Sequence, residues 1–147
     1  MMDRRQFMRA GSAASAISAL GLSAGCASTG GGASGKVVVI GGGYGGATAA
    51  KYIRLWSEGR IEVTLVEPGE SFVSCPISNL VLGGSKQITD ITIPYDNLAR
   101  RHGVKIVRER AIAIDLDKRQ VRLASGSTLP YDRLVVSPGV DFMWDML

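Results

Sequence analysis

The stretch KVVVIGGGYGG, residues 36–46, decides how the rest of the chain is read. Val37, Val38, Val39 and Ile40 form a short unbroken run of β-branched residues. Such a run suits a strand covered on both faces of a parallel sheet, where no position faces water. The glycine cluster begins at the next residue and satisfies G-x-G-x-x-G at Gly41, Gly43 and Gly46. In a chain with 19 glycines the string alone means little, but here it joins a buried strand to a helix. Gly41 then serves the tight turn, Gly43 the close approach of backbone to a pyrophosphate, and Gly46 the packing of helix on strand. Tyr44 and Gly45 complete the loop. The diphosphate is expected on the free N–H groups of the helix start, where the dipole favours an anion.

Downstream, ATAAKYIRLWSEG (47–59) reads as a helix with Ala49, Ile53 and Trp56 at helical spacing, Trp56 in the core, and Gly59 as its stop. IEVTLVE (61–67) is a second strand, completing a strand–helix–strand unit of about thirty residues, the length of a parallel crossover. Glu67 closes that strand about twenty residues after the last glycine, the place for a carboxylate that accepts from both ribose hydroxyls of an adenosine. Its charge also disfavours a 2′-phosphate, which leaves FAD or NAD rather than NADP.

Residues 68–92 carry Pro68, Gly69, Pro76, Gly83 and Gly84, which break any long element. YDNLARRHG (95–103) reads as a short helix and VKIVRE (104–109) as a third strand. AIAIDLDKRQVRLAS (111–125) has the pattern of two strands around an Asp117-Lys118 turn. A last strand, Leu134–Val136, stops at Pro138-Gly139. The fold class is therefore α/β: a Rossmann-like domain for FAD or NAD with a parallel sheet and an additional antiparallel β-hairpin layer. It is expected to be the N-terminal part of a two-dinucleotide-binding-domain protein, truncated at its C-terminus.

Composition agrees with one globular core: of 147 residues, 46% are hydrophobic, and the net charge is only +4. Half of that charge lies in the first ten residues, where Arg4, Arg5 and Arg9 face Asp3. The other basic residues are dispersed, which argues against nucleic acid as a partner. No metal site is expected. His102, the sole histidine, ends a helix and suits a surface position favoured by the dipole.

Residues 1–26 read as an export signal: the Arg4-Arg5 pair followed by Phe7, then a weakly apolar run of small residues too short to span a bilayer. The Asp-Arg-Arg-Gln-Phe-Met order resembles a twin-arginine signal; an ordinary secretory signal is the alternative. LSAGC, ending at Cys26, resembles a lipoprotein site, so Cys26 is either a lipid anchor or part of an unremarkable mature end. Residues 27–35 form a Gly/Ser linker.

STLPYDRLVVSPG (127–139) carries a second signature through Thr128, Tyr131, Asp132, Leu134, Val135, Ser137, Pro138 and Gly139. It resembles the T-x-x-x-x-Y-D-x-L-V-x-A-x-G pattern of the two-dinucleotide-binding flavoproteins, with Ser137-Pro138 where Ala-Thr is usual and Thr128 three rather than five residues before Tyr131. A nicotinamide dehydrogenase does not need this segment, so FAD is favoured over NAD.

Cys75 is one of two cysteines. Dithiol chemistry needs a partner sulfur, and none is within reach of Cys75 in sequence. Two readings remain: a buried thiol acting as a small apolar residue, or a covalent tether to a flavin. Here the resemblance becomes specific. Residues 36–55, 61–84 and 129–139 resemble the flavoprotein subunit of flavocytochrome c sulfide dehydrogenase. Cys75, Ser78, Asn79, Gly83 and Gly84 match that family's C-x-x-S-N-x-x-x-G-G context, whose cysteine bears 8α-S-cysteinyl FAD. The resemblance implies FAD bound covalently through Cys75 and oxidation of sulfide to sulfur or polysulfide in the periplasm. It also implies electron delivery to a cytochrome c subunit bearing haem c, with the redox-active disulfide, and thus the catalytic residues, outside residues 1–147. By that reading Gly41, Gly43, Tyr44, Gly45, Gly46, Glu67, Cys75, Pro138 and Gly139 bind the cofactor, and this piece alone is inactive. A sulfide:quinone reductase-like flavoprotein and a non-catalytic FAD-binding electron-transfer module are the alternatives. Trp144 is a candidate neighbour of the flavin.

Overall fold

In the computed structural model, residues 35–140 are described. Arg4, Arg5, Cys26, most of the linker and Trp144 lie outside them.

The apolar run forms β1 (Gly35–Ile40), which starts one residue earlier than the linker boundary drawn from composition. It sits inside a four-stranded parallel sheet, between β2 (Ile61–Val66) and β9 (Arg133–Val136), with β5 (Lys105–Val107) beyond β2. Val37 and Val39 pack with Val63, Leu65, Ala50 and Val104 on one face. Val38 and Val66 pack with Val121, Leu123 and Tyr131 on the other. A strand buried on both faces has no use for alternating polarity, so its unbroken run of valines is explained.

Helix α1 (Tyr44–Trp56) begins three residues before the span read from sequence. Its buried positions are Gly46 and Ala50, with Ile53 partly buried against the same core. Trp56 is not core among the described residues: it is 75% exposed and packs on Tyr52, ring centroids 4.9 Å apart and planes tilted by 39°. At about 100° per residue, Trp56 is turned roughly 80° from Gly46, the centre of the buried stripe.

The return to β5 is a broken excursion. It comprises β3 (Ser71–Val73), a 3-10 turn at Cys75–Ile77, the short helix α2 (Ser78–Leu82), a second 3-10 turn at Ile88–Ile91 and β4 (Thr92–Pro94). β3 and β4 pair antiparallel as a two-stranded ladder. Helix α3 (Asp96–His102) follows and ends on Gly103 in the left-handed conformation, φ 65°. Arg54 rivets α3 to the start of β2. Its guanidinium donates to the carbonyls of His102 at 2.9 Å, Gly59 at 2.6 Å and Ile61 at 2.7 Å.

The antiparallel layer has three strands rather than two: β6 (Ala111–Asp115), β7 (Gln120–Leu123) and β8 (Thr128–Pro130). Val121 and Leu123 face the sheet and are buried. β8 escapes a hydropathy reading because it is three residues long and ends in a proline. From it the chain turns directly into β9, which lies parallel to β1 as the signature demands.

Candidate dinucleotide cradle

The functional geometry lies at the C-terminal ends of β1, β2 and β9, where residues distant in sequence meet one loop. Gly41 has φ 94°, and a Cβ there would strike the backbone of Ser137. Gly46 lies against the carbonyl of Gly41, and its absent side chain lets α1 touch the strand. Ser137 N–H donates to the carbonyl of Ile40 at 2.8 Å, so the Ser137-Pro138-Gly139 turn is hung on the end of β1. Gly45 faces that turn too: a Cβ would come within 2.8 Å of Ser137 Oγ.

Gly43 is different. Among the described residues nothing lies nearer to the position of its missing Cβ than Phe72 at 3.8 Å, and its φ of −66° is open to any residue. Its smallness is not required by this chain's own packing, and the space is left to something else. As the N-cap of α1, Gly43 supplies no side-chain acceptor, and no acidic residue stands in the first turn. The first-turn N–H groups have no intrahelical partner by construction, so they remain donors for an anion. These features fit the diphosphate of a dinucleotide.

Glu67 follows β2 directly. Its Oε2 accepts from Gly42 N–H at 2.7 Å and its Oε1 from Gly69 N–H at 2.9 Å. The carboxylate thus holds the glycine loop itself, and each oxygen keeps a lone pair for a further donor.

Tyr95 was not singled out by sequence reasoning. It is 4% exposed, and its hydroxyl donates to the carbonyl of Gly42 at 3.0 Å. Burial, reinforced by the charge of Glu67, pushes its phenol up to about 12. It remains a donor throughout the physiological range. No local signal marks it, because its partner lies 53 residues away.

Tyr44, the first residue of α1, packs edge-on against Phe72, ring centroids 4.7 Å apart, and shares a hydrogen bond with the buried hydroxyl of Ser74. Ser74 N–H donates to Ile91 carbonyl at 2.9 Å, which anchors the turn carrying the next residue. That residue is Cys75, and it is exposed. Among the described residues nothing covers it, contrary to the reading of Cys75 as a buried packing thiol. His102 is half-buried at the C-terminus of α3, beside a cleft of about 440 Å³ that runs from Gly42 between α1 and α3.

The pyridine nucleotide-disulphide oxidoreductase family model matches residues 35–143. The flavoprotein chain of sulfide dehydrogenase (flavocytochrome c) from Chlorobaculum thiosulfatiphilum is 59% identical over 46 residues, 31% of this chain and 94% of that sequence. The sulfide-quinone reductase of Aquifex aeolicus is 34% identical over 104 residues, 70% of this chain but only 24% of the relative. The crystal structure of the Aquifex aeolicus sulfide:quinone oxidoreductase superimposes with a TM-score of 0.65 at 32% identity, covering 74% of this chain and 25% of that one. The chain thus spans about a quarter of the quinone reductases it matches. With the glycine loop, the carboxylate after β2 and the returning β9 in place, the chain belongs to the pyridine nucleotide-disulphide oxidoreductase family.

Proposed function

We infer that the chain is the FAD-binding N-terminal part of an exported flavoprotein that oxidises sulfide to sulfur or polysulfide. FAD is held by Gly41, Gly43, Tyr44, Gly45, Gly46, Glu67, Pro138 and Gly139 and tethered through Cys75. Electrons pass to a haem c protein in the periplasm. The observation that carries this reading is the 59% identity to a sulfide dehydrogenase flavoprotein chain. It is supported by an exposed Cys75 one residue from Ser74, whose hydroxyl meets Tyr44 at the start of α1.

In this reading the protein binds and orients. The α1 start and Gly43 receive the diphosphate, and Glu67 accepts from the ribose. The Tyr44–Ser74 contact holds the Cys75 turn beside the cradle. Bound FAD supplies a two-electron acceptor.

Acid precipitation of the full-length protein tests the tether: flavin should stay with the pellet, and Cys75→Ser should release it to the supernatant. Complete release from the wild type sinks the tether.

A second reading, a sulfide:quinone reductase, is favoured by the Aquifex relative and its structure. The two part on the acceptor. Sulfide-dependent reduction of cytochrome c without quinone supports the first, and reduction of a soluble ubiquinone analogue with cytochrome c left oxidised supports the second.

A further inference from the structure

The Gly42–Gly43 peptide is held by a side chain from a distant segment, Tyr95, rather than by the backbone contacts that fix its neighbours. Gly41 is wedged against Ser137, and Gly46 against Gly41. Glu67 holds the peptide before Gly42 through its N–H. The next peptide unit contains the Gly42 carbonyl and the Gly43 N–H. These two glycines permit it to flip at little steric cost. A flip exchanges a donor for an acceptor on the face where α1 begins, turning attraction for an anion into repulsion.

Tyr95 Oη is the side-chain donor that reaches the Gly42 carbonyl, at 3.0 Å. In a planar trans peptide the N–H points opposite to the carbonyl, so fixing one fixes the other. The phenol ring also fills the space of the missing Gly42 Cβ, which would lie 2.6 Å from Tyr95 Cζ. The ring comes from the segment after β4 and is itself buried among Val37, Val39, Leu65 and Val104, so it cannot follow a moving loop.

We propose that Tyr95 is a positioning residue that locks the Gly42–Gly43 peptide with its N–H presented to the diphosphate of a bound dinucleotide. This rests on the dinucleotide-binding reading above and adds to it a residue that none of the glycine-loop roles includes. The locked peptide contributes to phosphate binding and not to ribose or adenine binding, which divides the affinity of a ligand into separable parts.

The test is titration calorimetry of the full-length apoprotein from a riboflavin-starved host, with ADP and with adenosine. Tyr95→Phe keeps the ring and removes the hydroxyl. It should weaken ADP about tenfold, the worth of one lost hydrogen bond with an exposed donor reversed, and leave adenosine within about twofold. Val104→Ala, a cavity in the same core cluster, controls for plain destabilisation and should leave the ADP-to-adenosine ratio unchanged. Equal weakening of both ligands by Tyr95→Phe, or an ADP-selective loss in Val104→Ala, overturns the proposal. A wild type that binds neither ligand overturns the dinucleotide-binding reading itself, and this inference with it.

Discussion

Asp132 and Lys36 exchange two hydrogen bonds across the seam between β9 and β1. Lys36 N–H donates to the Asp132 carboxylate at 2.6 Å, and Asp132 N–H donates to the Lys36 carbonyl at 2.8 Å. The Tyr-Asp pair of the signature is thereby explained without a ligand: Tyr131 is buried under the sheet, and Asp132 sets the register of β9 on β1. Asp132→Ala should cost about 1–2 kcal/mol in urea unfolding, whereas Asp132→Asn, which keeps an acceptor, should retain most of the stability.

Two glycines of one motif should behave oppositely. Gly46→Ala drives a methyl group into the Gly41 carbonyl and should cost at least about 2 kcal/mol of stability. Gly43→Ala meets nothing closer than 3.8 Å among the described residues and should cost about 1 kcal/mol or less, yet abolish flavin retention. Thermal unfolding of the apoprotein beside flavin content of the purified protein separates the two.

Tyr95 gives a signature at alkaline pH. Its phenol is raised from the ordinary 10 to about 12, so the folded state keeps a proton that the unfolded chain gives up. The stabilisation is whole below about pH 10 and declines as pH rises toward 12, by a total on the order of 2 kcal/mol. Tyr95→Phe should lose less stability than wild type between pH 9 and 11.5. Parallel curves for the two proteins would contradict the buried, charge-flanked phenol.

Arg54 serves three carbonyls with one planar fork. Arg54→Ala should lower stability by about 2–3 kcal/mol, and Arg54→Lys should recover little, because one ammonium cannot span the three acceptors. Affinity for ADP should be unchanged, since Arg54 lies at the far end of α1 from the cradle.

What the sequence revealed follows from the range of the forces involved. The strand, the glycine loop and Glu67 are neighbours in sequence, and their spacing alone places them. The start of α1 was read three residues late because Tyr44, Gly45 and Gly46 are poor helix formers, kept there for packing and an uncapped amide end. The burial of Trp56 was misjudged because a stripe at helical spacing does not say which edge faces the sheet. Tyr95 and Ser74 left no trace, because each earns its role only from a partner brought by the fold, Gly42 and Tyr44 respectively. The second 3-10 turn is capped locally by Gln87 and Asp90, but the β3–β4 ladder pairs Ser71 with Pro94 and Val73 with Thr92, which no short window contains.

The docking of Ser137 on Gly41 also has a temporal meaning. The two residues lie 96 positions apart, and the turn at Gly41 presses directly on the Ser137 carbonyl. On the ribosome, the glycine loop emerges long before the strand that braces it. Until residues 133–137 have been translated and have paired with β1, the loop has no wall on that side. The shape of the loop therefore waits on β9, and a pause in translation before that strand would leave the motif complete in sequence but unformed in shape.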